Sequence, residues 1–153
     1  MARQPVQIHV YLYREKDGRN EYAIFQRADD TFCWQGISGG LEDGETEEQA
    51  ARRELFEETG ISAPLPLYKL DSISSMPADT FRAGRDGTWG KDIVVVPMFY
   101  YAMPFDGEVI LSEEHADMQW LPYEKAHEKV YYLSQKHALY ELNERLKRGN
   151  LIR

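Results

Sequence analysis

Residues 39–61 read GGLEDGETEEQAARRELFEETGI, a glycine-rich segment followed by a helix whose two ends are marked. Thr46 and Gln49 have the spacing of a capping box, in which each side chain accepts a hydrogen bond from a backbone N–H of the other residue. Gly60 suits the left-handed residue that commonly follows the last helical turn. The stretch therefore predicts one helix between Thr46 and Gly60.

Three glutamates share one face of this predicted helix. Glu54, Glu57 and Glu58 are spaced by three and four residues, so their side chains are neighbours on the helix surface. Like charges at this spacing repel one another, and a divalent cation that prefers carboxylate oxygens removes the repulsion. The plainer alternative is a solvated acidic helix with internal ion pairs such as Glu48–Arg52. The helix taken alone does not decide between the two.

The residues around the glutamates resemble the Nudix box, which reads Gly, five residues, Glu, seven residues, then Arg-Glu-aliphatic-x-Glu-Glu-x-Gly-aliphatic. All nine constrained positions are filled, by Gly39, Glu45, Arg53, Glu54, Leu55, Glu57, Glu58, Gly60 and Ile61. Similar segments lie outside the box, at Gln26-Arg27, Trp34-Gln35 and Glu113-Glu114-His115 followed by Trp120. Within the family, the chain most resembles the bacterial dATP and dihydroneopterin-triphosphate pyrophosphohydrolases.

The resemblance implies an enzyme that hydrolyses a nucleoside diphosphate linked to another group, most simply a (deoxy)nucleoside or dihydroneopterin triphosphate. The reaction must neutralise phosphate oxygens and provide a partly deprotonated water, and Mg²⁺, or Mn²⁺ in its place, supplies both. Alternative substrates are dinucleoside polyphosphates, nucleotide sugars or RNA 5′ ends. A second alternative is a non-catalytic, nucleotide-sensing domain. The three intact glutamates favour the enzyme over the sensor.

The resemblance also implies a role for each charged residue of the box. Glu57 and Glu58 are expected to be the principal metal ligands. Glu54 is expected to be a further ligand or the base for the attacking water. Arg53 is expected at the catalytic centre, in an ion pair with Glu45 that orients the helix against the glycine-rich segment.

The expected site is completed by residues on either side of the helix. Ser38 stands where the family commonly uses a backbone carbonyl as a metal ligand. Gly39, Gly40 and Gly44 are expected to let a loop fold tightly, and Gly60 to end the helix. A late acidic ligand is expected as well, with Glu114 as the candidate and Glu113 as its competitor.

Substrate choice is expected to depend on residues outside the box. Residues 76–92 are predicted to form a long loop without secondary structure, and such loops in compact domains are often functional. Aromatic side chains can stack on a base or pterin, and basic side chains can hold phosphates. The candidate substrate-binding residues are Arg27, Trp34, Phe81, Arg85 and Trp89. Loop packing, or core packing for Trp34, is the alternative for each.

The remaining sequence predicts an α/β fold. Residues 6–12 alternate apolar and polar side chains, the period of a strand with one buried face. Further strands are predicted at residues 21–27, 68–75, 93–102, 109–111 and 117–121, and a second helix from the spacing of Leu139, Leu142 and Leu146. Pro97 marks a bulge or a strand edge. These elements fit an α/β/α sandwich around a mixed β-sheet, the fold that the resemblance also implies.

Length and composition exclude several classes of protein. The 153 residues fit one domain, spanning residues 1–153. A net charge of −8 argues against binding to nucleic-acid polymers and is compatible with a small phosphorylated substrate. The N-terminal residues lack the apolar core expected of a signal peptide, and no apolar run is long enough to span a membrane. The single cysteine, Cys33, predicts a reducing, cytoplasmic location. A homodimer is compatible with the sequence, which does not fix the oligomeric state.

Overall fold

The computed structural model describes residues 2–153. Its strands are β1 (Arg3–Lys16), β2 (Arg19–Arg27), β3 (Trp34–Gln35), β4 (Ile37–Glu42), β5 (Tyr68–Pro77), β6 (Val95–Pro104) and β7 (His115–Pro122). Its α-helices are α1 (Glu47–Thr59), α2 (Arg82–Arg85), α3 (Tyr123–Lys129) and α4 (Leu133–Arg148), and a 3₁₀ turn, Ala78–Thr80, precedes α2. Within residues 2–153, every helix is too short or too polar to cross a membrane.

The strands form one mixed sheet with β1 near its centre. On one side, β1 pairs antiparallel with β4 through its first half and with β2 through its last residues. On the other side it pairs in parallel with β6. Parallel neighbours need a long connection, and here that connection contains α1. Strand β5 flanks β6, while β3 and β7 flank β2.

Alternate residues of β1 contribute to the cores on the two faces of the sheet. Ile8 and Val10 belong to the core beneath α1, which also contains Leu55. Tyr11 belongs to the opposite core, together with Leu139 of α4. Helices therefore cover both faces of the sheet, and the predicted α/β/α sandwich is confirmed.

Two local predictions differ from the structure, and the structure decides between the two alternatives at Pro97. Residues 109–111 do not form a strand; the segment crosses the end of α1, where the Ile110 N–H donates to the Thr59 carbonyl at 3.0 Å. Residues 76–92 are not an unstructured loop, because they contain the end of β5, the 3₁₀ turn and α2. At Pro97 the strand-edge alternative is correct, since pairing between β1 and β6 begins one residue later, at Met98.

His9 is a buried polar residue at the middle of β1. Its ring is fully buried, with centroids 4.4 Å from Tyr11 and 5.1 Å from Tyr100. Its Nε2 accepts a hydrogen bond from the Gly36 N–H at 3.1 Å, and a side chain at Gly36 would overlap the ring. Burial lowers the pKa of His9 to about 3. The imidazole is therefore neutral in the folded protein at neutral pH.

We expect His9 to make the protein less stable as the pH falls from 7 to 5.5. Because its folded-state pKa lies below the unfolded value of about 6.5, the unfolded chain binds more protons, and stability is lost from about pH 6.5 downwards to the folded pKa. The expected loss over this interval is about 1 kcal/mol. Urea denaturation of the wild type and His9→Leu at both pH values measures it. An equal pH dependence in the two proteins would contradict the prediction.

Candidate active site

The helix that carries the acidic residues has the predicted ends. The Thr46 Oγ1 accepts a hydrogen bond from the Gln49 N–H at 3.1 Å, and the Gln49 Oε1 accepts one from the Thr46 N–H at 2.9 Å. Gly60 adopts the left-handed conformation, with φ of 76°, and its N–H donates to the Phe56 carbonyl. The capping box and the glycine end are both confirmed, and they fix where α1 begins and ends.

Glu54, Glu57 and Glu58 form a cluster on that helix, which we call the acid cluster. One carboxylate oxygen from each lies within 4.8 Å of the others. Glu54 and Glu58 are only 3% exposed, whereas the Glu57 side chain is 46% exposed. Burying carboxylates this close together is costly unless cations compensate them. The oxygen donors, their spacing and their burial fit a hard divalent cation such as Mg²⁺.

Glu54 is held from two sides. Its Oε1 accepts hydrogen bonds from Arg3 at 3.0 Å and from Arg53 at 2.9 Å. Burial raises the pKa of Glu54, and the two guanidinium groups act in the opposite direction. The carboxyl packs so closely on Gly39 that a Cβ at that position would overlap it. Gly39 thus allows the glutamate to approach the backbone.

The glycine-rich segment differs from the predicted tight loop. Gly44 makes the expected tight turn, with φ of +80°, whereas Gly39 and Gly40 lie inside β4 and form no loop. The correction has a physical reason, since glycine serves both positive-φ turns and close approach of another group to the backbone, and sequence alone does not distinguish them.

Arg53 joins β4 to α1. Its guanidinium forms two hydrogen bonds with Glu45, at 2.7 and 2.9 Å, and a third with the Gly40 carbonyl at 2.9 Å. It also lies 3.3 Å from a carboxylate oxygen of Glu57. The hydrogen bonds from Arg53 to Glu45 lower the pKa of the Glu45 carboxyl. The ion pair expected between Arg53 and Glu45 is present, and it fixes α1 relative to the strand beside it.

Glu58 is bound by the loop that precedes β7. The Ser112 Oγ donates to Glu58 Oε2 at 2.7 Å, and the Nδ1 of His115 lies 3.0 Å from the same oxygen without the alignment of a hydrogen bond. Ser112 Oγ also accepts the Glu114 N–H at 3.2 Å. Ser112 was not identified from the sequence. A serine hydroxyl that accepts the N–H of the residue two positions later is a known turn pattern, and this pattern is the signal that was available.

The late acidic residues lie next to the acid cluster. The carboxyl of Glu114 is adjacent to that of Glu58; burial, and then this neighbour, raise the pKa of Glu114. Glu113 lines the same cleft, without a comparable contact to Glu58 among residues 2–153. This arrangement favours Glu114 over Glu113 as a further ligand. Burial lowers the pKa of His115, which suits a neutral, structural imidazole between them.

A cleft of about 590 Å³ opens beside the acid cluster. It has the size of a small-molecule site. Ser38 and Gly39 border it at the end nearest Glu54, and Glu114 borders it near Glu58. The other residues that line it are Gln7, Arg27, Ala28, Asp29, Gln35, Phe81, Glu113 and His115.

Two of the five predicted substrate-binding residues line this cleft. Arg27 reaches it with a guanidinium that is already bound to the Asp29 carboxylate, at 2.8 and 2.7 Å. Phe81 lines it from the segment between the 3₁₀ turn and α2. A cationic and an aromatic group are therefore both available to a ligand in the cleft.

The other three predicted residues lie elsewhere. Arg85 donates to the carbonyls of the 3₁₀ turn, at 2.9 and 3.1 Å, and so closes that turn. Trp89 packs behind Phe81, with 6.0 Å between ring centroids, and its Nε1 donates to the Arg3 carbonyl at 2.8 Å. Trp34 packs against the core beneath α4, and Lys129 lies 4.2 Å above its ring. These three side chains pack within the protein or close a turn, which is the alternative given for each of them.

Comparisons with known proteins agree with the box and the fold. A model of the NUDIX domain matches residues 3–142. A dihydroneopterin triphosphate diphosphatase of Escherichia coli (strain K12) is 31% identical over 121 residues, covering 78% of this chain and 79% of that protein. An RNA pyrophosphohydrolase of Roseobacter denitrificans is 29% identical over 113 residues, covering 69% and 71%. A crystal structure assigned as a NUDIX hydrolase of Listeria monocytogenes is 34% identical, with a TM-score of 0.84 over 96% of this chain and 97% of that chain.

Proposed function

Because the chain belongs to the NUDIX domain family, we propose that it is a divalent-metal-dependent pyrophosphohydrolase acting on nucleoside, deoxynucleoside or dihydroneopterin triphosphates. The observation that carries the proposal is the complete acid cluster at the end of a cleft of nucleotide size. The E. coli relative, by its name, acts on dihydroneopterin triphosphate. A non-catalytic sensor has no need of three mutually repelling carboxylates, two of them buried.

The acid cluster would hold Mg²⁺, or Mn²⁺ in its place, through Glu57, Glu58 and Glu54. The Ser38 carbonyl and Glu114 are the further ligands in this proposal, since both border the cleft beside the cluster. When bound, the cation supplies charge stabilisation for the phosphate oxygens and acidifies the attacking water.

As the alternative to a ligand role, Glu54 is proposed as the general base for the attacking water. Both arginine contacts fall on its Oε1, and Oε2 accepts no hydrogen bond from the residues that the structure describes. A carboxylate whose pKa is raised by burial is a better proton acceptor near neutral pH. In the proposed reaction, water attacks a phosphorus atom, its proton passes to Glu54, and the bridging oxygen leaves with the electron pair of the broken phosphoanhydride bond.

The single cysteine supports a cytoplasmic location for the proposed enzyme. Cys33 is buried as a free thiol, and burial raises its pKa, which keeps it unreactive. A lone free cysteine supports a reducing compartment such as the cytoplasm. The net charge of −8 supports a small phosphorylated substrate over a nucleic-acid polymer.

The experiment that tests this function is a substrate screen with purified protein and Mg²⁺. The panel contains nucleoside and deoxynucleoside triphosphates, dihydroneopterin triphosphate, a dinucleoside polyphosphate, a nucleotide sugar and 5′-triphosphorylated RNA. Phosphorus NMR identifies the products. Release of pyrophosphate from the small triphosphates is the expected result. Fast turnover of RNA ends with none of any small triphosphate would favour the activity named for the Roseobacter relative.

We expect Phe81→Ala to weaken substrate binding more than it slows chemistry. Loss of one stacking aromatic costs about 1–3 kcal/mol per base in single-stranded nucleic-acid sites, and the loss should appear mainly in KM. Trp89→Ala should have a smaller effect, because Trp89 contacts Phe81 and the Arg3 carbonyl but does not line the cleft. Steady-state kinetics with two triphosphates that differ in the base measure both variants.

Tyr140→Ala is the matched control for these variants. Tyr140 is an exposed aromatic residue on α4 and does not line the cleft. The Tyr140→Ala variant should leave KM and substrate preference unchanged. If Phe81→Ala behaves like this control while its fold is intact, Phe81 packs its own segment and does not stack on the substrate.

A further inference from the structure

The floor of the cleft contains a polar side chain that no other group satisfies. Gln7, on β1, is only 8% exposed and lines the cleft. Its amide forms no hydrogen bond with residues 2–153, and its polar atoms are open to the cleft rather than sealed in the core. An amide that reaches the cleft without a protein partner has its donor and acceptor available to a ligand there.

The neighbouring residues leave the Gln7 amide free to meet a ligand. Gly40 lies directly opposite Gln7 in β4, and a Cβ there would come within 2.9 Å of the Gln7 Nε2. Gln35, the other glutamine of the cleft, is 6% exposed but already donates to Ser38 Oγ at 3.2 Å. Of the two amides, Gln7 therefore has its hydrogen-bonding capacity unused.

We propose that Gln7 is a specificity-determining residue that hydrogen-bonds the edge of the substrate's base. The inference rests on the proposed function. A primary amide presents a donor and an acceptor side by side, which matches a ring edge with an exocyclic amino group or carbonyl beside a ring nitrogen. The volume of the cleft accommodates a bicyclic purine or pterin, with Phe81 available to its face.

The position of Gln7 also orients the substrate. Ser38 and Gly39 border the cleft at its acid-cluster end, and Gln7 lies on the adjacent strand, opposite Gly40. A base held by Gln7 directs the phosphates of the same molecule towards the glutamates. Gln7 thus contributes to binding and discrimination and takes no part in the bond cleavage itself.

The test compares triphosphates whose bases share one ring system and differ only in the exocyclic groups at the hydrogen-bonding edge. Purine riboside triphosphate has the same bicyclic ring as ATP and GTP but lacks the exocyclic amino group and carbonyl. With wild-type enzyme and Mg²⁺, kcat/KM for the better of ATP and GTP should exceed that for purine riboside triphosphate by about tenfold. In Gln7→Leu this ratio should fall to about twofold or less, with the Mg²⁺ concentration for half-maximal rate unchanged.

Gln135→Leu is the control, because Gln135 is a buried glutamine on α4 whose Oε1 also lacks a partner and which lies outside the cleft. It should keep the wild-type ratio. Gln7→Glu, which retains the shape but has no amide donor, replaces Gln7→Leu if that variant does not fold, and is expected to shift the same ratio.

Two results would overturn the role of Gln7: a wild type that does not discriminate, or a folded Gln7 variant that keeps the wild-type ratio. If the wild type hydrolyses neither these three compounds nor the deoxynucleoside and dihydroneopterin triphosphates of the screen, the proposed function fails. Calorimetric dissociation constants for the same three compounds then give the ratios for wild type and variant, so that the failure of one proposal is separated from the failure of the other.

Discussion

Removal of divalent cations with excess chelator should reduce hydrolysis of every small triphosphate to background. The acid cluster carries three carboxylates within 4.8 Å, and phosphate oxygens approaching it meet like charge unless a cation lies between. Steady-state assays with and without EDTA measure the effect, and added Mg²⁺ or Mn²⁺ should restore activity. Wild-type turnover in excess chelator would contradict the prediction.

A second measurement separates cation binding from catalysis. A cation that binds only the folded protein raises its stability by mass action. The melting temperature should therefore rise with Mg²⁺ concentration in the absence of substrate. The rise should shrink when one cluster carboxylate is removed, even if the substrate has not been identified.

Glu57→Gln should lower kcat by about 10²–10³-fold, the effect of losing one electrostatic stabiliser of a transition state. The substitution keeps the shape of the side chain and removes one ligand charge. Glu57 is the exposed member of the cluster, and its ion pair with Arg53 is an i, i+4 surface contact worth at most about 0.5 kcal/mol. The melting temperature without metal should therefore stay the same or rise slightly as repulsion is relieved.

Glu48→Gln provides the matched comparison. Glu48 lies on the same helix, is exposed, and also pairs with an arginine four residues away. It is outside the acid cluster, so its removal should leave kcat unchanged. Turnover of Glu57→Gln at the wild-type rate under saturating Mg²⁺ would show that Glu57 is not a metal ligand.

The helix and its acidic face could be predicted because the signals are local. The capping box, Gly60 and the spacing of the three glutamates all lie within one stretch of sequence, and each acts over one or two helical turns. The Arg53–Glu45 pair was also available, because the Nudix resemblance supplied it. The α/β/α sandwich followed from strand and helix periodicity.

The parts that the sequence could not give depend on contacts between distant segments. Residues 109–111 are apolar enough for a strand, but Ile110 packs beside Gly60 at the end of α1 and has no strand partner. Trp34 and Trp89 carry the rings expected of a binding site, yet each is used for packing. Conversely, Gln7 occupies a polar position of an alternating strand, and only the sheet pairing shows that it faces a cleft.

The Arg53 contacts imply a division of labour that protein engineering can use. The contacts that fix α1 against β4 lie within residues 38–60, through Arg53 and its partners Glu45 and Gly40. Most of the cleft lining comes from other segments: Gln7 of β1, Arg27 at the end of β2, Phe81 just before α2, and the loop before β7. A library that randomises positions 7, 27 and 81 leaves the Arg53 contacts untouched. Such a library should contain many variants with altered substrate range and few that have lost hydrolysis altogether.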